Sequence, residues 1–191
     1  MNSLLFATAS TLLLRLGIFA FLHVKYREFS IFKNTISDYG TGKSRQLYSL
    51  MSILSIIAYI ALFTYLLLSN FSPLGTAYIL AIAAIGSIAI LFFPTDRTGD
   101  KVTRSGRIHW LLAIVNFAAL FVFMTNAQIP AVSVQPEILV AMTWIVRITF
   151  YMFLASLVLP KLRRHFIGLT ERLFLIATPV WFITFAVLLI A

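Results

Sequence analysis

The stretch "LLFATASTLLLRLGIFAFLHV", Leu4 to Val24, decides the fold. It is apolar apart from scattered hydroxyls, one central arginine and a histidine near its end, and a helix needs about 20 such residues to cross a bilayer. The stretch lacks the basic start and the small-residue cleavage site of a signal peptide. We therefore predict a transmembrane helix that the protein retains.

The whole chain has the composition of a membrane protein. Of its 191 residues 61% are hydrophobic and 11% are charged, whereas roughly a quarter of the residues are charged in a soluble domain. A small globule has too little interior for so many apolar side chains, and lipid can replace that interior. We predict an all-α, polytopic membrane protein, a six-transmembrane-helix bundle that forms a single domain over residues 1–191. The predicted spans lie near 3–24, 47–69, 73–93, 106–125, 137–160 and 168–190.

Basic residues predict the direction of the spans. Every Lys and Arg outside the span centres lies in or beside the connections 25–46, 94–105 and 161–172, whereas the connections 70–72 and 126–136 carry none. Under the positive-inside rule the basic connections lie in the cytoplasm, and both termini lie outside. The net charge of +9 is therefore expected to meet anionic membrane lipids rather than nucleic acid.

The segment "ISDYGTGKS", Ile36 to Ser44, ends like a phosphate-binding P-loop. A P-loop needs a glycine five residues before its second glycine and a strand ahead of it, but Ser37 holds that position before Gly42 and no strand pattern precedes it. We interpret the segment as a turn and predict no cofactor-binding residues. The chain also lacks cysteine, and its three histidines do not have the spacing of a zinc site. The sequence leaves the identity of any other metal or cofactor open.

Three short motifs follow one another at predicted span ends. They are "TISDYG" at 35–40, "FFPTD" at 92–96 and "GRIHWLLA" at 106–113. With these motifs the chain resembles an uncharacterised bacterial membrane family, domain of unknown function 998. The resemblance implies a multi-span helical domain over nearly the whole chain and a place in the bacterial inner membrane. It implies no activity.

Polar residues gather where these motifs meet the predicted membrane boundary. Ser37 and Asp38 precede the second span, Asp96 follows the third, and His109 begins the fourth and shares a helix face with Asn116. We predict that they converge on one cytoplasm-facing polar pocket. The carboxylates and imidazole could perform acid–base work or relay protons, or the aspartates could bind a divalent cation. In the structural alternative the aspartates cap helix starts, pair with nearby basic residues and clamp the connections together.

Two arginines lie near the centres of predicted spans, Arg15 in the first and Arg147 in the fifth. A central arginine costs about 2.5–3.5 kcal/mol on insertion scales. Arg15 could extend toward the interface or bind within the bundle. We interpret Arg147 as part of an interior polar network or as a partner for an anionic ligand.

The function that these residues favour is the binding or movement of a small amphipathic or anionic, lipid-like ligand. One alternative is a membrane-embedded enzyme that uses Asp and His on a lipid substrate, and another is a structural or regulatory subunit. Small residues in the third span, such as Ala83 and Gly86, suit close packing inside the bundle. They also leave a homodimer open.

Overall fold

The computed structural model describes residues 1–69, 74–129 and 134–191. Over these residues the chain forms helices that are long and apolar enough to cross a membrane, and it contains no strand. The predicted all-α, six-span architecture is confirmed. The helices are α1 (Asn2–Lys25), α2 (Arg45–Leu68), α3 (Leu74–Phe92), α4 (Arg104–Asn126), α5 (Glu137–Val158) and α6 (Pro160–Ile190).

Two 3₁₀ helices, Ile36–Gly40 and Gly42–Ser44, occupy the segment between α1 and α2. Gly42, the first residue of the second one, has a φ of 58°, a backbone conformation that glycine adopts without steric cost. The segment that ends like a P-loop is therefore a pair of tight turns. The uncharged connection predicted at 70–72 lies outside the described residues, as does the middle of the one predicted at 126–136.

The last helix begins earlier than the sequence indicates. The segment 161–172 is not the predicted loop, because α6 starts at Pro160 and continues through it. Proline suits the first turn of a helix, and the residue before it is pushed toward extended backbone. Leu159 has φ −89° and ψ 113° and alone separates α5 from α6.

The helices pack in chain order as an incomplete ring. α1 lies between α2 and α6, α2 also contacts α3, α3 packs along α4, and α5 packs along α6. The seam between α4 and α5 has far fewer contacts. Stacked rings of Phe121 and Phe150, 4.1 Å apart, join these two helices.

The first two basic connections and the basic start of α6 meet at one end of the bundle, which we call the basic end. The backbone N–H of Gly168 in α6 donates to the carbonyl of Phe32 at 2.9 Å. Asp38, in the same segment as Phe32, accepts the N–H of Thr98 between α3 and α4 at 2.8 Å. These bonds place the connections on one side, as the alternation of basic residues predicts. The side of the membrane that this end faces remains a prediction.

Candidate functional site

Two cavities adjoin each other at the basic end. The outer one, which we call the cleft, has a volume of about 730 Å³ and lies between α4, α5, α6 and the basic connections. The inner one, the chamber, has a volume of about 70 Å³ and lies between helices. The residues that line both are Ser37, His109, Ala113, Phe117 and Glu171.

The cleft combines an apolar wall with a basic rim. Phe117 and Phe153, in edge-on contact at 5.6 Å, line it where α4 and α5 approach each other. Arg163 places its guanidinium 5.2 Å from the ring centre of Trp110, so a cation lies against an aromatic part of the wall. The other apolar wall residues are Val102, Leu111, Ala113, Ile114, Leu157 and Ile167, and the other basic residues are Lys33, Arg97, Arg107 and Arg164. Two aspartates, Asp96 and Asp100, also line the cleft.

The chamber contains many polar groups although it lies within the bundle. Its hydroxyl groups come from the first 3₁₀ helix, α2 and α3, and the amide of Asn116 lines it from α4. Charged groups reach it from Arg15 on α1 and Glu171 on α6, both only 4% exposed. The hydroxyl-bearing residues that line it are Ser37, Tyr48, Ser52, Ser55, Tyr59 and Ser87.

His109 stands between the two cavities and joins three parts of the chain. Its Nδ1 lies 2.8 Å from the carbonyl oxygen of Phe93, and its Nε2 lies 3.2 Å from the hydroxyl of Ser37. A carbonyl oxygen can only accept, so Nδ1 carries the proton and Ser37 donates to Nε2 of the neutral ring. Pro94 stops α3 just beyond that carbonyl, so His109 binds a group that the helix end exposes.

Asp96 holds Thr103, the residue that caps the start of α4. Its two carboxylate oxygens accept the N–H of Thr103 at 2.7 Å and the hydroxyl of Thr103 at 2.8 Å. The Thr103 oxygen in turn accepts the N–H of Gly106 at 3.1 Å, which satisfies a free donor in the first turn of the helix. A Cβ at Gly106 would lie 1.9 Å from a carboxylate oxygen of Asp96, so the glycine is what lets the aspartate approach.

Asp38 is fully buried and lines neither cavity. One of its oxygens accepts the Thr98 N–H at 2.8 Å, and the other accepts the side-chain amide of Asn34 at 2.8 Å. It therefore clamps the first basic connection to the second. These contacts favour the structural alternative for both aspartates, with backbone N–H, amide and hydroxyl donors in place of the predicted basic partners.

Asn116 joins α4 to α3. Its amide nitrogen donates to the hydroxyl of Ser87 at 3.1 Å. A Cβ at Gly86 would lie 3.5 Å from Asn116, so the small residues of α3 allow the close approach of these helices. Asn116 also lines the chamber, as its position on the His109 face predicts.

Arg15 is bound inside the bundle and does not extend to the interface. Its Nε donates to the hydroxyl of Ser55 at 2.8 Å, and an Nη donates to the carbonyl of Leu175 at 3.1 Å. Pro179, four residues after Leu175 in α6, has no N–H to give that carbonyl. Arg15 therefore supplies the donor that the proline removes.

Arg147 lies apart from both cavities. It is half-buried, and its guanidinium stacks 4.9 Å from the ring centre of Trp144, which is 56% exposed. The structure therefore places it at the outer surface of α5, away from the interior network that the sequence suggests. The difference arises because α5 turns Val146, Thr149 and Phe150 inward.

Sequence reasoning missed Glu171 and Arg172 as buried charges, because both lie where the predicted connection 161–172 overlaps the predicted span 168–190. Arg172 is 3% exposed; its Nε donates to His23 at 2.7 Å, and its Nη1 donates to the carbonyls of Ile31 and Gly168, both at 2.9 Å. It also donates to the carbonyl of Asn34. The signal was present, because "GLTERLF" at 168–174 opens directly into an apolar run.

These helices define a multi-pass α-helical membrane protein with a clamped polar end. A family model described as "Protein of unknown function (DUF998)" matches residues 9–188. The chain belongs to this family, so the predicted family resemblance is confirmed. No curated protein and no solved structure matches the chain.

Proposed function

We propose that the protein binds an anionic amphiphile, a lipid-like molecule with a phosphate group, in the cleft. The cleft then faces the cytoplasmic side of the bacterial inner membrane, as the positive-inside rule predicts. The observation that carries the proposal is the pairing of a basic rim with an apolar wall in one cavity of about 730 Å³. A volume of this size is within the usual range for small-molecule sites, roughly 300–1,000 Å³.

Each part of the ligand has a counterpart in the cleft. Arg107 and Arg164 are exposed cations on α4 and α6, and arginine binds phosphate through paired hydrogen bonds. Leu111 and Ile114 on α4, with Leu157 on α5, offer apolar surface to a carbon chain. The sparse seam between α4 and α5 gives such a chain a route to the surrounding lipid.

The test compares two pairs of neutralised cations in the full-length protein. Native mass spectrometry in a neutral detergent measures the binding of phosphatidic acid to an Arg107→Gln, Arg164→Gln variant and to a Lys25→Gln, Lys43→Gln variant. Both variants lose the same charge at the basic end, but Lys25 and Lys43 do not line the cleft. We expect the arginine variant to bind about tenfold more weakly, and the lysine variant to bind like the unchanged protein.

Equal losses in the two variants would contradict the proposal, because they would indicate binding to diffuse surface charge. Glycerol phosphate, which has the phosphate but no carbon chains, serves as a competitor. We expect it to displace little phosphatidic acid. Displacement as strong as that by the lipid would contradict the amphiphilic character of the ligand.

A further inference from the structure

Glu171 is a buried carboxylate at the inner end of the cleft. It is 4% exposed and lines both the cleft and the chamber. The cations Arg107, Arg163 and Arg164, in contrast, are exposed. The rim also carries the exposed carboxylate of Asp100, but its cations outnumber its carboxylates. The cleft is therefore mainly basic at its rim and acidic at its depth.

The carboxylate of Glu171 has acceptor capacity beyond its contact with the protein. Its Oε2 accepts the N–H of Ile36 at 2.6 Å, whereas an ionised carboxylate offers about four acceptor positions. A buried carboxylate is costly unless donors surround it. A donor that enters the cleft would meet this requirement.

The nearest buried cations donate no hydrogen bond to Glu171. Arg172, the next residue in α6, donates through Nε to His23 and through Nη1 to the carbonyls of Ile31, Asn34 and Gly168. Its Nη2 is buried and has no partner among the residues that the structure describes. Arg15, which lines the chamber with Glu171, donates to Ser55 and to a carbonyl of α6. These bonds leave the carboxylate of Glu171 available on the cavity side.

We propose that the amphiphile carries an ammonium group with N–H donors beside its phosphate, and that Glu171 binds this ammonium group. The inference rests on the proposed function and names the head group: the phosphate lies at the arginine rim, and the ammonium lies deeper. The hydroxyl of Ser37 and the ring of His109 line the same part of the cleft and complete a polar pocket around the ammonium. A phospholipid with a primary amine has this chemistry.

The experiment uses two lipids that differ in one respect. Phosphatidylethanolamine and phosphatidylcholine with the same acyl chains both carry a phosphate and a positive nitrogen, but only the first has N–H donors. Native mass spectrometry of the full-length protein in neutral detergent gives the relative affinity of the two. We expect a preference for phosphatidylethanolamine of about tenfold, the effect of hydrogen bonds to a charged group.

Glu171→Gln assigns the preference to this carboxylate. Glutamine keeps an oxygen that can accept the N–H of Ile36, so the hydrogen bond between α6 and the first 3₁₀ helix is retained. We expect this variant to bind both zwitterionic lipids equally, while its affinity for phosphatidic acid changes less than about twofold, since that lipid has no ammonium group. The control is Glu137→Gln, the same change at the exposed first residue of α5, which should retain the preference.

Equal affinities of the unchanged protein for the two zwitterionic lipids would overturn the inference without any variant. A preference that survives Glu171→Gln would overturn it as well. In either case binding of phosphatidic acid at the arginine rim would still support the proposed function. If the unchanged protein did not bind phosphatidic acid, the proposed function itself would be overturned.

Discussion

At Gly168 the backbone of α6 lies directly against the segment that leads into α2. Its N–H donates to the carbonyl of Phe32 at 2.9 Å. A Cβ at this position would lie 2.3 Å from the carbonyl oxygen of Asn34 and 2.8 Å from that of Ile31. These neighbours are backbone atoms, which cannot rotate away as a side chain can. The absence of a side chain at 168 is therefore a condition for docking this segment.

We predict that Gly168→Ala destabilises the fold. The added methyl group must push the 31–34 backbone away, a type of overpacking that costs about 1–3 kcal/mol. The measurement is the melting temperature of the purified protein in detergent. Gly17→Ala is the matched control, because nothing lies within 4 Å of a Cβ at Gly17 in α1 and alanine favours a helix by up to about 1 kcal/mol. An equal melting temperature for the Gly168 variant and the control would contradict the prediction.

Much of the residue-level site could be predicted, and the remainder depends on helix rotation. The motif order brings Asp96 and His109 near each other because Pro94 ends α3 and a short connection leads to α4. Sequence spacing does not fix which face of a helix packs inward when every face is apolar. This is why the structure differs from the prediction for Arg147, which lies at the outer surface, and for Arg172, which is buried inside the bundle and does not lie at its basic surface.

At the scale of the element, α1 replaces a backbone hydrogen bond that α6 lacks. Pro179 removes one donor from the helix, and the carbonyl of Leu175 accepts from Arg15 at 3.1 Å. The guanidinium is held in place by Ser55 of α2 at 2.8 Å. The Arg15 side chain thus joins three helices in a region where water is scarce. These hydrogen bonds offset part of the cost of a charge near the centre of a span.

We predict that Arg15 and Pro179 are coupled in stability. Arg15→Met leaves the carbonyl of Leu175 without a donor and lowers the free energy of unfolding. In a Pro179→Ala background the alanine N–H can serve that carbonyl, so the same substitution should cost about 1 kcal/mol less. A double-mutant cycle by denaturant unfolding in mixed micelles measures the difference.

The control for this cycle is Arg147→Met, which removes an arginine stacked on Trp144. Arg147→Met should lower the free energy of unfolding by the same amount with proline or alanine at 179, because Arg147 takes no part in the bond between Arg15 and Leu175. If Arg15→Met lowers the free energy of unfolding equally with proline and with alanine at 179, the Arg15 bond does not compensate for the proline.

Elements could be predicted better than their ends. The spans are apolar over their full length, so hydropathy finds them, and α1 at Asn2–Lys25 differs little from the predicted 3–24. The exception is the start of α6, where basic residues look like a loop. Proline suits the first turn of a helix, so α6 begins at Pro160 and includes these basic residues. A hydropathy window does not include this preference of proline.

At the scale of the whole molecule, the prediction concerns sidedness. The chain has no cysteine, so each single-cysteine variant carries one thiol label. We expect Lys33→Cys, Asp100→Cys and Lys161→Cys to react in inverted membrane vesicles but not in intact cells with a membrane-impermeant thiol reagent, because basic connections remain in the cytoplasm. Val134→Cys, before α5 and 79% exposed, should show the reverse. Labelling of positions 33 and 100 from opposite sides would refute the six-span topology.

The sparse seam between α4 and α5 has a consequence for how quickly the protein finds its ligand. An amphiphile that enters sideways from the leaflet keeps its hydrocarbon in lipid throughout, so it avoids the cost of transfer to water, about 0.8 kcal/mol per methylene. Capture would then depend on the surface density of the lipid in the leaflet and not on its solubility in the aqueous phase. Long-chain and short-chain ligands with the same head group would reach the site at similar rates.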